Sequence, residues 1–268
     1  MMHFFVKSIE PTSNTVFEAA AILGYRLQAL DYLAGLYKDK KLGFYFRSSD
    51  GAISFELHRV DSLKNLDARL KSNPQWAYCT HDVVPVTKTG EMVRELAQFL
   101  NIDPNTFFDS VLAEYESLGI FSAQSTSNAR SRLATFNGDY IALMSADEEE
   151  IDEAGTYTVV AKSTKGTSAT VSNDQLSEMW ARTLRSQVAH LNSDTEFVDY
   201  NPVGRSEGLL VGKGDVNLLK SHIESTEIYP DTVVQYISVN TPSIAAQKTA
   251  DELRLIKRSP PPLNFFTV

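Results

Sequence analysis

The chain opens on HFFVKS, a short apolar run that reads as a strand, and then changes period. Across residues 15–37 the apolar positions Phe17, Ile22, Leu23, Leu27, Leu30 and Leu33 recur at helical spacing, which predicts an amphipathic helix. Two strand-like runs follow, KLGFYFRS and AISFELHR, meeting at Ser49-Asp50-Gly51. Asp-Gly accepts the positive φ angles of a tight hairpin, so these two strands should pair. In DSLKNLDARLKSN, Leu63, Leu66 and Leu70 stand at i, i+3 and i+7 with Asp61 as the expected N-cap, and WAYCTHDVVPV predicts a fourth strand. The order is βαββαβ.

The same order returns about 154 residues later, when Asp61 is aligned with Asp215. TYTVVAKS takes the place of the first strand, and residues 173–191, through Trp180, Leu184 and Val188 to Leu191, that of the first helix. EFVDYNPVGRSEGLLVG supplies the hairpin with its turn at Pro202 to Gly204, DVNLLKSHIES the second helix and TVVQYISVN the last strand. A βαββαβ unit leaves one apolar sheet face without helices, and a second copy in the same chain can cover it. The expected fold is therefore α+β: two tandem ferredoxin-like units, packed as a pseudo-dimeric barrel around a ligand-sized space. Segment boundaries are expected at 1–87, 88–150, 151–240 and 241–268.

Between the copies, EMVRELAQFLN and TFFDSVLAEYESLG are both periodic as helices and are broken at Asn101-Ile102-Asp103-Pro104. GIFSAQ and SRLATFNGDYIALM read as short strands, and Asp147 to Glu150 as a solvated boundary. After the second copy one helix is expected around Ala246 to Ile256. SPPPLNFFTV then forms an extended arm whose Phe265 and Phe266 would dock on a surface or a neighbouring subunit.

Charge and cysteine content narrow the classes. Thirty-four acidic against 25 basic residues give a net charge of -9, which repels a phosphate backbone unless the cations are concentrated. Cys79 is the single cysteine, so neither an intrachain disulfide nor a cysteine zinc cluster is expected. No apolar run approaches the roughly 18 residues of a membrane span, and the N-terminus lacks the apolar core of a signal peptide. A cytoplasmic protein is expected.

Candidate chemistry sits in the first copy. Glu56 and His58 alternate onto one strand face, where Glu56 could orient His58 and stabilise its protonated form during general-base catalysis. A solvent-facing edge is the competing reading of that face. Arg47 and Lys7 could receive a substrate carboxylate, and His81 could assist in binding. The five histidines show no HxH or HExxH spacing, VGKGD lacks Walker spacing, and no GxSxG elbow is present, so neither a metal nor a cofactor is expected. Cys79 on an apolar strand reads as an inert core residue.

FFVKS, the helix ending near Gly35, the hairpin FYFRSSDGAISFELHRVDSL and the ending LKSNPQWAYCTHDVVPV together resemble the muconolactone delta-isomerase family of dimeric α/β-barrels. The resemblance covers residues 2–87 and, more faintly, 156–240. It implies a ferredoxin-like fold and cofactor-free proton transfer on a small unsaturated acid or lactone. Where that family is expected to carry a carboxylate in the first helix, this chain has Gly24 beside Tyr25 and Arg26.

The insert is similar to a winged-helix module: Leu96, Ala97, Leu100, Ile102, Thr106, Leu112, Leu118 and Gly119 stand at its spacing. Its second helix carries Asp109, Glu114 and Glu116 with no Lys or Arg, and only Arg130 and Arg132 lie in the expected wing, so duplex DNA is disfavoured. Since the second copy lacks an acid–base set, the sequence favours a noncatalytic small-molecule-binding or assembly protein. A cofactor-independent isomerase-like enzyme is the alternative, and a winged-helix regulator with a ligand-sensing barrel the second. The expected partners are a small carboxylate ligand and a second copy or a protein reached through the insert or the C-terminal arm.

Overall fold

The structure, a computed structural model, describes residues 1–146, 151–164, 197–202, 207–225 and 232–258, with single residues between 174 and 191. It divides into two compact units that regroup the four expected segments: Met1–Val84, Ile151–Gly155 and the chain from Val239 form unit one, Pro85–Glu150 and Thr156–Ser238 unit two. The helical insert thus belongs with the second half, and the helix that follows the second half belongs with the first.

Unit one has the expected order. β1 (Met2–Ile9) is followed by α1 (Val16–Lys38), β2 (Leu42–Ser48), β3 (Ile53–Val60), α2 (Leu63–Ser72) and the start of β4 (Thr80–Lys88). Thr15 and Glu18 form a capping box that starts α1, satisfying two backbone donors reciprocally. Ser62, not Asp61, caps α2: the residue immediately before the first turn is the one whose side chain accepts from the Asn65 amide. β3 pairs antiparallel with β1 and β2, and the end of β8 (Thr232–Asn240) adds to β2 through Arg47 opposite Asn240 and Ser48 opposite Val239. α8 (Pro242–Arg258) packs on α1.

The sheet of unit one has two unlike faces. Phe4, Val6 and Val60 pack with Leu66 and Leu70 of α2, while Leu42 and Tyr45 pack with Leu30, Leu33 and Leu36 of α1. A register shift between Leu42 and Tyr45 puts these two residues, three apart, on that one helix-covered face. The opposite face is aromatic, with Phe5 and Phe55 stacked at 6.0 Å and Phe44 and Phe46 at 5.5 Å.

Unit two carries α3 (Thr89–Leu100), α4 (Pro104–Ser117), α5 (Ala123–Ala134) and α6 (Tyr140–Ser145), then β5 (Tyr157–Thr164), β6 (Phe197–Pro202), β7 (Glu207–Lys213), α7 (Val216–Ser225) and most of β8. Its strand order is β8–β5–β7–β6–β4, with β5–β7, β7–β6 and β6–β4 antiparallel. The helices close around Phe108, Leu112 and Tyr140, joined by Val188 and Leu191. Asp174, Glu178, Ala181, Arg185 and Val188 are helical, as expected within residues 173–191. Residues 203 and 204 of the expected turn, the acidic run 147–150 and the Phe265-Phe266 arm lie outside the described residues.

The helix-loop-helix at 90–120 is present: Asn101 ends α3 in the left-handed region at φ 53° and Asp103 caps α4 ahead of Pro104. The wing is absent. GIFSAQ and SRLATFNGDYIALM, expected as strands, contribute to α5 and α6, with Ser122 and Asp139 as N-caps. The misreading has a physical source, because Asn-Gly serves a hairpin turn and a helix C-terminus alike; here Asn137 and Gly138 adopt positive φ just after α5. Arg130, one of the two wing cations, instead pairs with Asp109 of α4 at 3.2 Å. Among the described residues no helix is long and apolar enough to cross a membrane.

Close approach of α3 to α6 depends on Gly90, where an added Cβ would lie 2.7 Å from the Met144 carbonyl carbon and the Ser145 backbone nitrogen. Gly90→Ala is expected to destabilise the protein by about 1–3 kcal/mol through overpacking, measured as a lower urea midpoint. An unchanged midpoint would contradict this helix contact.

Candidate functional site

Polar side chains interrupt the helix-covered face of unit one, and β3 supplies three of them. Ser54, Glu56 and His58 alternate onto the face that holds Val60, each 5% exposed or less. Glu56 lies opposite Val6 and Tyr45, and His58 opposite Phe4 and Leu42. The pair is therefore neither a solvent edge nor on the aromatic face of the sheet; it is enclosed between the sheet and the two helices. His58 Nε2 lies 2.9 Å from Glu56 Oε2, and the Ser54 hydroxyl donates to Glu56 Oε1 at 3.2 Å. An ionised carboxylate can only accept, so Nε2 carries the hydrogen of this contact; in a neutral imidazole Nδ1 then presents a lone pair. Nδ1 is buried and has no hydrogen-bond partner.

Arg47 shares this face, opposite Ser54. Its Nε donates to the Gly51 carbonyl at 2.7 Å, Nη1 to Gln75 Oε1 at 3.2 Å and Nη2 to Glu10. Glu10 also accepts from Arg26 Nε at 3.0 Å and from Gln75, and Arg26 reaches Glu252 of α8 at 3.2 Å. Burial lowers the pKa of both guanidinium groups, that of Arg47 to about 10, so both remain cations at neutral pH. All three donor nitrogens of Arg47 are engaged by the protein itself, and a substrate carboxylate would have to displace Glu10.

The other candidates fall elsewhere. Lys7 lies opposite Phe55, on the aromatic face, away from Glu56. His81 belongs to a separate linkage: Nδ1 is 2.8 Å from the Ser8 hydroxyl, Nε2 is 2.8 Å from the Trp76 carbonyl, and its ring stacks on Trp76 at 3.7 Å. Cys79 is half-buried, and burial raises its thiol pKa. Among the described residues no group of three His, Cys, Asp or Glu side chains is placed to hold a metal ion.

Sequence reasoning missed Glu10, Gln75 and Arg26 as a unit. A signal existed for Arg26, which sits three residues after Leu23 and four before Leu30, on the buried stripe of α1. A charge at a core position implies a buried counter-charge. Glu10 and Gln75 lie in connecting segments, where no periodicity marks them.

A shallow cleft of about 350 Å³ opens between α1 and α2, lined by Tyr32, Leu36, Lys41, Asn65, Ala68, Arg69 and Ser72. Arg69 Nη1 donates to the carbonyls of Lys41 and Arg59 at 2.9 and 2.8 Å, and the Tyr32 hydroxyl donates to the Arg69 carbonyl at 2.9 Å. Burial raises the Tyr32 pKa, and the nearby charge of Glu56 adds to that rise while Arg69 opposes it.

No protein-family model and no curated protein matches this sequence. Solved structures do. Chlorite dismutase from Candidatus Nitrospira defluvii, as an arginine-to-alanine variant, aligns at TM-score 0.50 with 9% identity, covering 93% of this chain and 95% of the other. Its complex with imidazole aligns at TM-score 0.50 and 9% identity, covering 92% and 95%. At this identity the likeness is one of fold, and it places the chain among mixed α+β proteins of ferredoxin-like type. It also corrects the noncatalytic reading. The structures that share this fold along nearly the whole chain are those of an enzyme.

Removing the carboxylate between the two arginines takes the ion-pair partner from Arg47 and leaves Arg26 with Glu252 alone. Glu10→Gln is expected to lose about 3–5 kcal/mol of stability, read from urea denaturation. A loss under about 1 kcal/mol would show that the arginines do not rely on Glu10.

Proposed function

We propose that this chain is an enzyme that moves a proton on a small anionic substrate, with His58 as the base and Glu56 as the group that orients it. The single observation that carries this reading is His58 Nδ1, buried beside Glu56 with no hydrogen-bond partner, on a ring that lies opposite Phe4 and Leu42. An unsatisfied buried acceptor costs about 1–3 kcal/mol, and such a group in a folded protein asks for a role. A general base is such a role. Nδ1 takes a proton from a carbon next to a carbonyl, Glu56 stabilises the imidazolium that forms, and the imidazolium, whose proton exchanges with water, gives a proton back to a different carbon. No electrons are exchanged and nothing is consumed.

Two further supports lie outside this pair. The muconolactone delta-isomerase resemblance of residues 2–87 implies proton transfer on a small unsaturated acid or lactone, and the structural neighbours, by their name, act on chlorite, also a small anion. In this reading 151–240 is a diverged second copy that keeps the element order and not the acid–base set. Arg47 holds Glu10 and the β2–β3 turn in place, as a positioning residue.

The test is solvent exchange. Muconolactone and related enol-lactones incubated with the protein in D2O should lose their exchangeable carbon-bound protons by NMR, and His58→Gln should slow that loss about 10²–10⁴-fold. Nitrogen NMR of the free protein should show His58 protonated at Nε2 alone. Exchange that His58→Gln leaves at full rate would overturn the assignment.

A further inference from the structure

His58 is enclosed, so a substrate must reach it from some side, and the packing of unit one indicates which. Phe4, on one side of His58, packs beneath α2; Leu42, on the other, packs beneath α1. His58 therefore lies under the line along which the two helices face each other, and the cleft opens on that line. Arg69, on the cleft wall, reaches down to the carbonyl of Arg59, the neighbour of His58 in the strand. Tyr32 lines the same cleft and is close enough to Glu56 to feel its charge.

We infer that the α1–α2 cleft is a binding site for a small carboxylate, held by Arg69 and Lys41, with Tyr32 as the side chain that separates it from Glu56 and His58. As a route to catalysis this rests on the proposed function; as a binding site it stands by itself. The lining is one-signed: Lys41 and Arg69 supply the charge, Asn65 and Ser72 neutral hydrogen-bonding groups, Leu36 and Ala68 apolar wall, and no acidic residue contributes. Asp39 pairs with Lys41 at 2.7 Å, but both are well exposed, and an exposed pair of this kind contributes little and yields to a ligand. Arg69 uses Nη1 on two backbone carbonyls, which fixes the plane of the guanidinium. Its remaining nitrogens are left to meet a carboxylate in the planar fork that this group favours. The volume lies within the range of small-ligand pockets.

The full chain, labelled with nitrogen-15, is titrated with benzoate and, separately, with inorganic phosphate. Benzoate should produce saturable amide shifts at Asn65, Ala68, Arg69 and Ser72, with an affinity of about millimolar. Lys41→Met and Arg69→Met should each weaken it about tenfold. Arg69 also ties the strand ends, so Lys41→Met, which removes only an exposed charge, keeps the test decisive if Arg69→Met unfolds. Phosphate binding as tightly as benzoate would overturn the carboxylate assignment, and shifts absent from these residues, or unmoved by Lys41→Met, would overturn the site. His58→Gln separates the two readings. A variant that binds benzoate as the parent does, from a parent that exchanges no lactone protons, would defeat the proposed function and leave the cleft standing; exchange with a KM that Lys41→Met does not raise would do the reverse.

Discussion

Two arginines share one carboxylate inside unit one, and much else there follows from that arrangement. Glu10, at the end of β1, receives Arg26 from α1, Arg47 from β2 and Gln75 from the segment after α2. Its side chain is 5% exposed and that of Arg47 3%. Bare cations at such depth are strongly unfavourable, so the four segments are held to the one arrangement that brings the charges together. The hairpin turn obeys the same constraint: Gly51 has φ of +76°, and a Cβ there would stand 2.7 Å from Arg26 Nη1. Glu252 then supplies the second negative charge, which gives α8 an electrostatic reason to lie along α1 beyond its apolar contacts.

That charge balance decides what Glu56 can do. Glu10 and Glu252 take up Arg26 and Arg47 through direct contact, and Glu56 is left with a serine and a histidine as its hydrogen-bond partners. A proton that arrives on His58 therefore meets a carboxylate 2.9 Å away in a dry setting, where an opposite charge acts strongly. The wiring is local and directional. Glu56 holds Nε2, and Nδ1 of the same ring is left without a hydrogen-bond partner.

How much of this was legible in the chain depends on whether a residue lay on a periodic element. The βαββαβ order of residues 2–87 was readable because Leu30, Leu33, Leu66 and Leu70 mark their helices by spacing, and the same leucines turned out to be core. Glu56 and His58 were readable as a pair because a strand sends alternate residues to one face. Which face was not, since period two is indifferent to whether helices or a second sheet lie above; that is set by the partners Val6, Tyr45, Phe4 and Leu42, which lie on other strands. The wing strands failed for a related reason. SRLATFNGDYIALM contains a turn signal compatible with either neighbour type, and tertiary packing of Leu133, Tyr140 and Leu143 against Phe108 and Leu112 decided for helix.

The missing carboxylate in α1 carries a different meaning once the packing is known. At the expected place the chain has Gly24, Tyr25 and Arg26, and Arg26 is the residue that engages Glu10 and Glu252. A carboxylate in place of Arg26 would sit beside Glu10 and repel it, so that position of α1 excludes an acid. Glu56 and His58 of β3 form a separate buried pair, hydrogen-bonded to each other and to Ser54 instead of to these arginines. Beside Arg26, Tyr25 stacks on Tyr78 at 4.3 Å with their hydroxyls 3.0 Å apart, so this stretch of α1 is committed to packing and charge pairing.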